Sequence, residues 1–472
     1  MRITIVLPLL LGAFLVLSPL AAAGARERPN VLFILVDDLG WSDVSYNGSR
    51  VYETPHVDRL ARHGMVLTDF YSAGPVCSPT RASILTGKSP ARLGLTTWLN
   101  TPEKDPPFIM HHLPLEEFTL AEALREAGYA TGYFGKWHLG YKREHWAGRQ
   151  GFETAKGGID SPHAWRLAWP DREPPLPENH TRFFSPYHMT HLENGPDGEY
   201  LTERLTDETL AFIEQHQRRD SGQPFFALLA FHTVHTPLEP KPEKTEKYKM
   251  KIARLGLDGR PEDAPREKAI QNNAAYAGMV EHMDENVGRL LRRLDELELS
   301  DDTIVVWTSD NGGKGSVTSN LPLRGMKHNL YEGGIRVPTI VRWPGRIAAG
   351  SRNSTPLIST DFYPTVLQLT GCPPRVSQHV DGVSFGEVLL GERDAVDRDA
   401  LYWHYPHNRQ EAAVREGRHK LLHRFQEDRV ELYDLEADLG ERRDLSREQP
   451  QLAARLLDML KRWQKAVGAK FE

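Results

Sequence analysis

The sequence predicts an α/β fold: a large, mixed but mostly parallel sheet sandwiched by helices, followed by a small C-terminal antiparallel sheet with a terminal helix. Two observations predict it. Short, continuous apolar runs alternate with amphipathic helical segments along most of the chain, and from about residue 399 the pattern changes to short alternating runs. With 472 residues, 39% of them apolar and 26% charged, the chain has the composition of an ordinary globular protein with a large core.

The predicted strands of the large sheet are apolar runs of the kind that parallel sheets bury on both faces. The first four end abruptly in acidic, basic or amide residues. The runs are Asn30–Val36, Ala130–Gly135, Phe225–Phe231, Thr303–Ser309 and Thr339–Trp343. Because ligands bind outside the carboxyl ends of such strands, the polar residues that follow them are expected to meet at one edge of the sheet.

Helices are predicted between these strands, at His56–His63, Leu120–Ala127 and Gln271–Leu297. The last of them carries apolar residues at three- and four-residue spacing, which is typical of a helix packed on a sheet. Residues 142–200 are rich in Trp, His, Pro and Gly and show little periodicity. This segment is interpreted as a long loop layer, a feature that is usually functional or disordered.

The C-terminal part is predicted to form a separate small unit. Its short runs are Ala400–Tyr405, Ala412–Arg415, Lys420–Arg424 and Val430–Asp434, and a helix follows at Gln449–Val467. We therefore divide the chain into a signal peptide at 1–25, a catalytic domain at 26–395 and a C-terminal subdomain at 396–472.

The first 25 residues have the pattern of a secretory signal peptide. A short basic start is followed by an apolar stretch, and small residues of the cleavage type lie at 21–25. An uncleaved membrane anchor is the alternative, but Pro8, Gly12 and Pro19 interrupt the stretch. We expect cleavage near residues 23–25, no stable membrane insertion, and a secreted or periplasmic protein, or a lysosomal or extracellular one in a eukaryote.

Charge and cysteine content exclude two other classes. The 58 Lys and Arg residues against 64 Asp and Glu give a net charge of -6, which argues against nucleic acid as the main partner. The two cysteines, Cys77 and Cys372, cannot form a disulfide framework.

Two polar pairs at strand ends predict a metal site. Asp37 and Asp38 follow the first strand, and Asp310 and Asn311 follow the fourth. Adjacent carboxylates repel one another unless a cation or hydrogen bonds hold them. Three carboxylates and an amide are hard oxygen donors that suit Ca²⁺ or Mg²⁺ better than zinc. Either pair alone would more often be a surface turn, so the prediction depends on their joint placement.

The segment 75–87 places a cysteine at a helix start. Pro79 is expected just inside the helix and Ser78 is expected to cap it, which puts Cys77 at the helix N-terminus. Free amide groups there favour an anion, either a thiolate or a bound oxyanion. The alternative is that Cys77 is a small buried apolar residue.

The whole segment resembles the C-x-P-S/T-R signature, followed by L-T-G, of the type I sulfatases, which belong to the alkaline phosphatase superfamily. It has Cys77, Pro79, Thr80, Arg81, Leu85, Thr86 and Gly87 at the fixed positions. Other segments resemble further sulfatase motifs in the family's order: 30–40, 132–140, 235–237, 309–312, 323–338 and the run from Glu431. The resemblance covers nearly the whole mature chain, and the sequence resembles arylsulfatase A-like bacterial carbohydrate sulfatases.

The resemblance implies the cofactors. A formylglycine-generating enzyme would convert Cys77 to formylglycine during maturation, and the hydrated aldehyde would attack sulfur. One Ca²⁺ would be held by Asp37, Asp38, Asp310 and Asn311, with the modified residue 77 and a sulfate oxygen completing its shell. Cys372 matches no family site.

The resemblance also implies side-chain roles. Arg81 would hydrogen-bond the diol and support the metal carboxylates, and Lys136 and Lys327 would supply positive charge to the sulfate. His235 would protonate the leaving alcohol as general acid, and His138 would take a proton from the remaining diol hydroxyl. His232 is an alternative general acid, but it lacks the His-Thr-Pro context.

The implied activity is sulfuric ester hydrolysis, with a sulfated saccharide of the galactose or N-acetylgalactosamine type preferred over a simple aryl sulfate. His404 and His407 are candidate sugar-binding residues, with a structural hairpin as the equal alternative. Aromatic and histidine residues of 161–191 would also suit sugar rings. Two alternatives remain: a phosphate or phosphonate ester hydrolase of the same superfamily, and a catalytically silent sulfated-glycan-binding protein.

Overall fold

The structure is a computed structural model that describes residues 28–99, 110–157, 181–187, 189, 191–218, 222–258 and 269–471. The predicted signal peptide at 1–25 lies outside the described residues. Within the predicted loop layer at 142–200, residues 158–180, 188 and 190 lie outside them as well.

The strands are β1 (Asn30–Val36), β2 (Met65–Leu67), β3 (Phe70–Tyr71), β4 (Ala130–Gly135), β5 (Thr154–Lys156), β6 (Phe225–Ala230), β7 (Thr303–Ser309), β8 (Thr339–Arg342), β9 (Ser351–Asn353), β10 (Leu357–Ile358), β11 (Leu401–Tyr405), β12 (Glu411–Glu416), β13 (His419–Arg424) and β14 (Arg429–Asp434). The α-helices are α1 (Pro55–His63), α2 (Cys77–Thr86), α3 (Pro90–Leu93), α4 (Leu120–Glu126), α5 (Leu201–Arg218), α6 (Pro242–Arg254), α7 (Ala274–Glu296), α8 (Glu332–Ile335), α9 (Phe362–Leu369), α10 (Gly386–Leu389) and α11 (Pro450–Val467).

The large sheet has eight strands in the order β5-β4-β6-β1-β7-β8-β2-β9. The five strands from β5 to β7 are mutually parallel, whereas β8 is antiparallel to both β7 and β2. The predicted mixed, mostly parallel sheet is therefore confirmed. Since β1 lies between β6 and β7, its carboxyl end is at the centre of the sheet edge where a ligand would bind.

Helices cover both faces of this sheet, as the alternation of buried strands and helices predicts. Val31, Phe33 and Leu35 of β1 belong to the core on the face covered by α2, α4 and α9. Leu32 and Ile34 belong to the core on the face covered by α1, α5 and α7. Every residue of β1 is buried, which explains why the strand is a continuous apolar run.

The C-terminal sheet is an antiparallel meander in the order β11-β12-β13-β14. One face packs on α11 through residues such as Val414 and Leu456. The other face packs on the large unit, where Trp403 and Tyr405 share a core with Tyr71. The predicted small antiparallel unit with a terminal helix is confirmed, while the boundary at 395/396 stays a prediction.

Buried polar contacts centred on Glu332 join the two units. The Lys420 Nζ lies 2.9 Å from Glu332 Oε1 and 2.9 Å from Glu441 Oε1. The Glu332 backbone N–H donates to Glu441 Oε2 at 2.7 Å. Burial raises the pKa of Glu441 to about 7, although Lys420 opposes the shift.

Along the described ranges, none of the helices combines the length and the apolar character that a membrane crossing requires.

Candidate active site

Polar residues from four strands meet at one edge of the large sheet. Asp37 and Asp38 follow β1, Asp310 and Asn311 follow β7, Lys136 follows β4, and His235 lies beyond the end of β6. The register between β1 and β7 pairs Val36 with Ser309, so both acidic pairs leave the sheet at the same level. The expected meeting of the strand ends is confirmed.

A carboxylate cluster forms the centre of this edge. One ligand atom each from Asp37, Asp38, Asp310 and Cys77 lies within 4.8 Å of the others, and all four residues are buried. The Cys77 Sγ is 3.5 Å from Asp37 Oδ1 and 3.9 Å from Asp38 Oδ1. Asp38 has a φ of 62°, and its N–H donates to Asp310 Oδ1 at 3.1 Å. This left-handed turn lets two successive carboxylates reach one cluster.

Two lysines are paired with the cluster. Lys136 Nζ donates to Asp37 Oδ2 at 2.7 Å, and Lys327 Nζ donates to both oxygens of Asp38 at 2.6 and 2.8 Å. Burial alone would raise the pKa of Asp38, but Lys327, His235 and Lys136 lower it well below its usual range. Asp38 is therefore ionised and available to a cation at any ordinary pH.

Arg81 from α2 holds the third carboxylate. Its Nε and Nη2 donate to Asp310 Oδ2 at 3.1 and 2.7 Å, and its Nη1 donates to the Lys136 carbonyl at 2.7 Å. The Tyr133 hydroxyl also donates to that carbonyl. Arg81 is only 2% exposed, so water does not compete for its hydrogen bonds. Its planar guanidinium group, a rigid fork of N–H donors, therefore holds the end of β7 to the end of β4.

Asn311 provides a test of whether a cation fits. Its Nδ2 donates to Asp38 Oδ1 at 2.8 Å and to the Gly312 carbonyl at 3.0 Å. Its Oδ1 is buried and has no hydrogen-bond partner in the described part of the chain. A buried amide oxygen without a partner, beside three carboxylates, fits a hard cation such as Ca²⁺.

Cys77 is the first residue of α2, and the predicted capping by Ser78 is wrong. The residue that precedes the helix is Val76, and no side chain caps this end. The Ser78 Oγ instead accepts a hydrogen bond from the Leu99 N–H at 3.1 Å. Burial raises the pKa of the Cys77 thiol to about 12, although Lys136 and Lys327 oppose the shift. An unmodified Cys77 would therefore be a protonated thiol and a poor nucleophile at neutral pH.

His235 turns one ring nitrogen towards the cluster. Its Nδ1 is 2.6 Å from the Thr236 carbonyl, so this nitrogen carries a proton, and its Nε2 is 3.6 Å from Asp38 Oδ2. Burial lowers the pKa of His235 well below its usual range, with Asp38 opposing the shift. His235, and not His232, belongs with Asp38 and Cys77 to a group of potential ligand atoms.

His138 lies near the same edge, two residues beyond Lys136. It has a φ of 55°, and its Nε2 lies 3.4 Å from the carbonyl of Leu99. The segment around Leu99 therefore contacts both His138 and, through Ser78, the start of α2.

The sequence analysis missed two residues near the cluster. Lys314 Nζ donates to Thr236 Oγ1 at 3.2 Å, beside the His235 ring. The Tyr276 hydroxyl donates to Asp43 at 2.6 Å and lies 3.4 Å from the Asp38 carbonyl. The position of Lys314, three residues after Asn311, could have indicated it. Tyr276 gave no signal, because on a helix it has the spacing of a core residue.

The two candidate sugar-binding histidines contact residues outside the carboxylate cluster. The His404 Nε2 is 2.7 Å from the Lys470 carbonyl, and its Nδ1 is 3.1 Å from Gln464 Nε2. Both ring nitrogens therefore contact the C-terminal helix segment, and substrate binding by His404 stays a prediction. The His407 Nε2 lies 2.9 Å from Thr96 Oγ1, at the contact between the two units.

Comparisons with known proteins agree with this geometry. Residues 29–372 match the family model described as Sulfatase, and residues 326–466 match the one described as N-sulphoglucosamine sulphohydrolase, C-terminal. A protein named Sulfatase from Formosa agariphila is 32% identical over 95% of this chain and 92% of its own length. The N-acetylgalactosamine-6-sulfatase of Mus musculus is 34% identical over 82% of this chain and 72% of its own length.

A solved structure shows the same fold. The crystal structure of Ps i-CgsB in complex with k-i-k-neocarrahexaose superposes with a TM-score of 0.76 and 27% identity, and the match covers 93% of each chain.

Proposed function

The chain belongs to the sulfatase family and is a sulfate ester hydrolase, and from this premise we propose that it desulfates saccharides by means of a formylglycine made from Cys77. The observation that carries the proposal is the buried cluster of Asp37, Asp38, Asp310 and Cys77, with two lysines and an arginine bonded to its carboxylates. In this proposal the cluster would combine a nucleophile precursor, hard oxygen ligands and fixed positive charge at one point.

The state of Cys77 supports its conversion. A protonated thiol is a weak nucleophile, whereas the hydrate of formylglycine supplies a hydroxyl that can attack sulfur. Cys77 is 2% exposed in the folded chain. A formylglycine-generating enzyme would therefore have to reach it before folding is complete, in keeping with the secretory route that we propose for residues 1–25.

The metal in this proposal is one Ca²⁺ held by Asp37, Asp38, Asp310 and Asn311, together with residue 77. When bound, it would neutralise carboxylate charge and polarise a sulfate oxygen. Asn311 Oδ1 is the oxygen that has no other partner among the described residues. Arg81 keeps Asp310 in place by two bonds to one oxygen.

The protein's own side chains would handle the substrate charge and protons. Lys136 and Lys327 are buried amines beside the Cys77 position, with Lys327 Nζ 3.5 Å from Sγ, and both would stabilise the sulfuryl oxygens. His235 would give the Nε2 proton to the leaving oxygen, and the anionic substrate would favour its protonated form. His138 is assigned the role of proton acceptor.

A saccharide substrate is supported by the names of the relatives. One relative is an N-acetylgalactosamine-6-sulfatase, and the structure of another was solved with a neocarrahexaose. We therefore propose a sulfated galactose- or N-acetylgalactosamine-type unit as the substrate.

The test is release of inorganic sulfate from a panel of monosulfated galactose and N-acetylgalactosamine saccharides, with the matching phosphorylated sugars alongside. We expect sulfate release from at least one sulfated sugar and little release of phosphate. Hydrolysis of the phosphate esters alone would support the phosphatase alternative. Binding of sulfated sugars by formylglycine-containing protein without turnover would support the silent glycan-binding alternative.

A further inference from the structure

A cavity of about 530 Å³ lies beside the carboxyl ends of β4 and β5, next to the candidate active site. Its walls include Gly135 at the end of β4, Trp137 beyond it, Lys156 and Gly157 at the end of β5, and Arg149 of the preceding turn. Neither the metal cluster nor the assigned acid and base uses any of these residues.

The cavity is positively charged. Among the described residues, its lining contains the cations Arg143, Arg149 and Lys156 and contains no Asp or Glu. In the described ranges, neither Arg149 nor Lys156 forms an ion pair or a side-chain hydrogen bond. These two cations are therefore available to an anion from solution. They differ in this from the many surface cations of proteins that pair with a neighbouring carboxylate.

Aromatic rings form another part of the wall. The Trp146 and His191 rings meet edge-to-face with their centroids 4.5 Å apart, and the Trp137 and Tyr133 rings have centroids 5.1 Å apart. The two indole N–H groups already donate to the carbonyls of Tyr141 and His145. Aromatic and basic side chains around one cavity are suited to a charged sugar ring, because the rings provide apolar contact and the cations bind its anionic group.

The cavity wall and the reaction centre contact the same backbone carbonyl. The hydroxyl of Tyr133, in the cavity wall, donates to the same Lys136 carbonyl that Arg81 contacts from the cluster side. At the rim, Gly135 and Gly157 pack so closely that a side-chain carbon on Gly157 would lie 2.8 Å from Gly135. The two sites thus share one edge of the sheet and lie one strand end apart.

We propose that this cavity is an accessory subsite that binds an anionic group on the sugar unit adjacent to the one being desulfated. The anionic group is a uronate carboxylate or a second sulfate, and Arg149 and Lys156 bind it. The subsite rests on the proposed saccharide sulfatase function and makes that function selective for glycans with charge on neighbouring units.

The test compares wild-type protein with the double variant Arg149→Ala/Lys156→Ala on three disaccharides. All carry the same sulfated sugar, joined to a neutral sugar, to a uronic acid or to a second sulfated sugar. For one or both of the charged neighbours, we expect KM to rise roughly 5- to 30-fold in the double variant, as for the loss of two partly exposed ion pairs. For the neutral neighbour, KM and kcat should stay within about twofold of the wild-type values, which also shows that the variant folds.

The control is Arg447→Ala/Lys461→Ala, which removes the same charge from exposed positions outside the cavity lining. It should leave the preference among the three disaccharides unchanged. An equal loss on all three substrates in the cavity variant would indicate a structural role and overturn the proposal. Unchanged KM values on all three would overturn it as well.

Failure of the proposed function has a different result. If the formylglycine-containing wild type releases sulfate from none of the disaccharides, the function fails. The subsite is then judged by calorimetric binding of the three disaccharides. Tighter binding of a charged disaccharide than of the neutral one, lost in the double variant, would retain the subsite, and equal binding would refute it.

Discussion

Replacement of Arg81 by Lys tests how the cluster is held. The substitution keeps the positive charge but removes the planar fork, so a lysine can replace only one of the three hydrogen bonds of Arg81. One of the two bonds to Asp310 is lost, at a cost of about 1.5–3 kcal/mol for a buried charged acceptor. The bond to the Lys136 carbonyl is also lost, but Tyr133 still donates there, so this adds only about 0.5–1 kcal/mol.

The free energy of unfolding of Arg81→Lys should therefore fall by about 2–4 kcal/mol, measured by urea denaturation. Arg92→Lys is a matched control. Arg92 uses the same two atoms, Nε and Nη2, on the Asp381 carboxylate at 2.8 and 2.7 Å, but its side chain is 34% exposed. Water screens such a pair, and the expected loss is about 0.2–1 kcal/mol. Equal losses in the two variants would refute the reasoning that burial makes the Arg81 fork strong.

Three further predictions follow from the contacts. Asn311→Ala removes the amide oxygen that has no partner in the described chain. Addition of Ca²⁺ to chelator-treated protein should therefore raise the melting temperature less in this variant than in wild type. An equal rise would exclude Asn311 as a ligand. His235→Gln should lower kcat by about 10²–10⁴ on alkyl sulfates and much less on 4-nitrophenyl sulfate, whose leaving group needs no proton; a uniform loss would contradict the general-acid role. Burial raises the pKa of Glu441 from an ordinary 4.5 to about 7, so the native state holds an extra proton and its stability falls as pH rises between these values. In Glu441→Gln this fall in unfolding free energy with rising pH, about 1–3 kcal/mol, should be absent. If the unfolding free energy of the variant depends on pH as steeply as that of the wild type, the raised pKa does not belong to Glu441.

The sequence predicted the sheet and the cluster well because both depend on a simple pattern. The bounds of β1, β4 and β7 agree with the predicted runs, since strands buried on both faces have to be continuously apolar. The three carboxylates of the cluster follow β1 and β7 directly, so parallel pairing was enough to bring Asp37 and Asp310 together.

Side-chain direction was harder to predict. In β11, Trp403 and Tyr405 face the large unit, so His404 between them faces the C-terminal helix. Alternation along the strand predicts that His404 faces away from Trp403 and Tyr405. The sequence alone does not show which of the two faces packs on the large unit. Ser78 has the residue type of a helix cap, yet a tertiary hydrogen bond to Leu99 uses its oxygen.

The cavity next to β5 could not be predicted. The strand Thr154–Lys156 has three residues, too few to show a period, and it lies within a segment that was interpreted as loop. Arg149 and Lys156 come together only because β5 pairs with β4 at the edge of the sheet.

The central claim is that the working nucleophile is made from Cys77. Mass spectrometry of the tryptic peptide 63–81, taken from active protein that was produced with a formylglycine-generating enzyme, tests it most directly. We expect an aldehyde in place of the thiol at residue 77, and a sulfatase activity that scales with the fraction converted. Full sulfatase activity in protein that contains only unmodified Cys77 would contradict it.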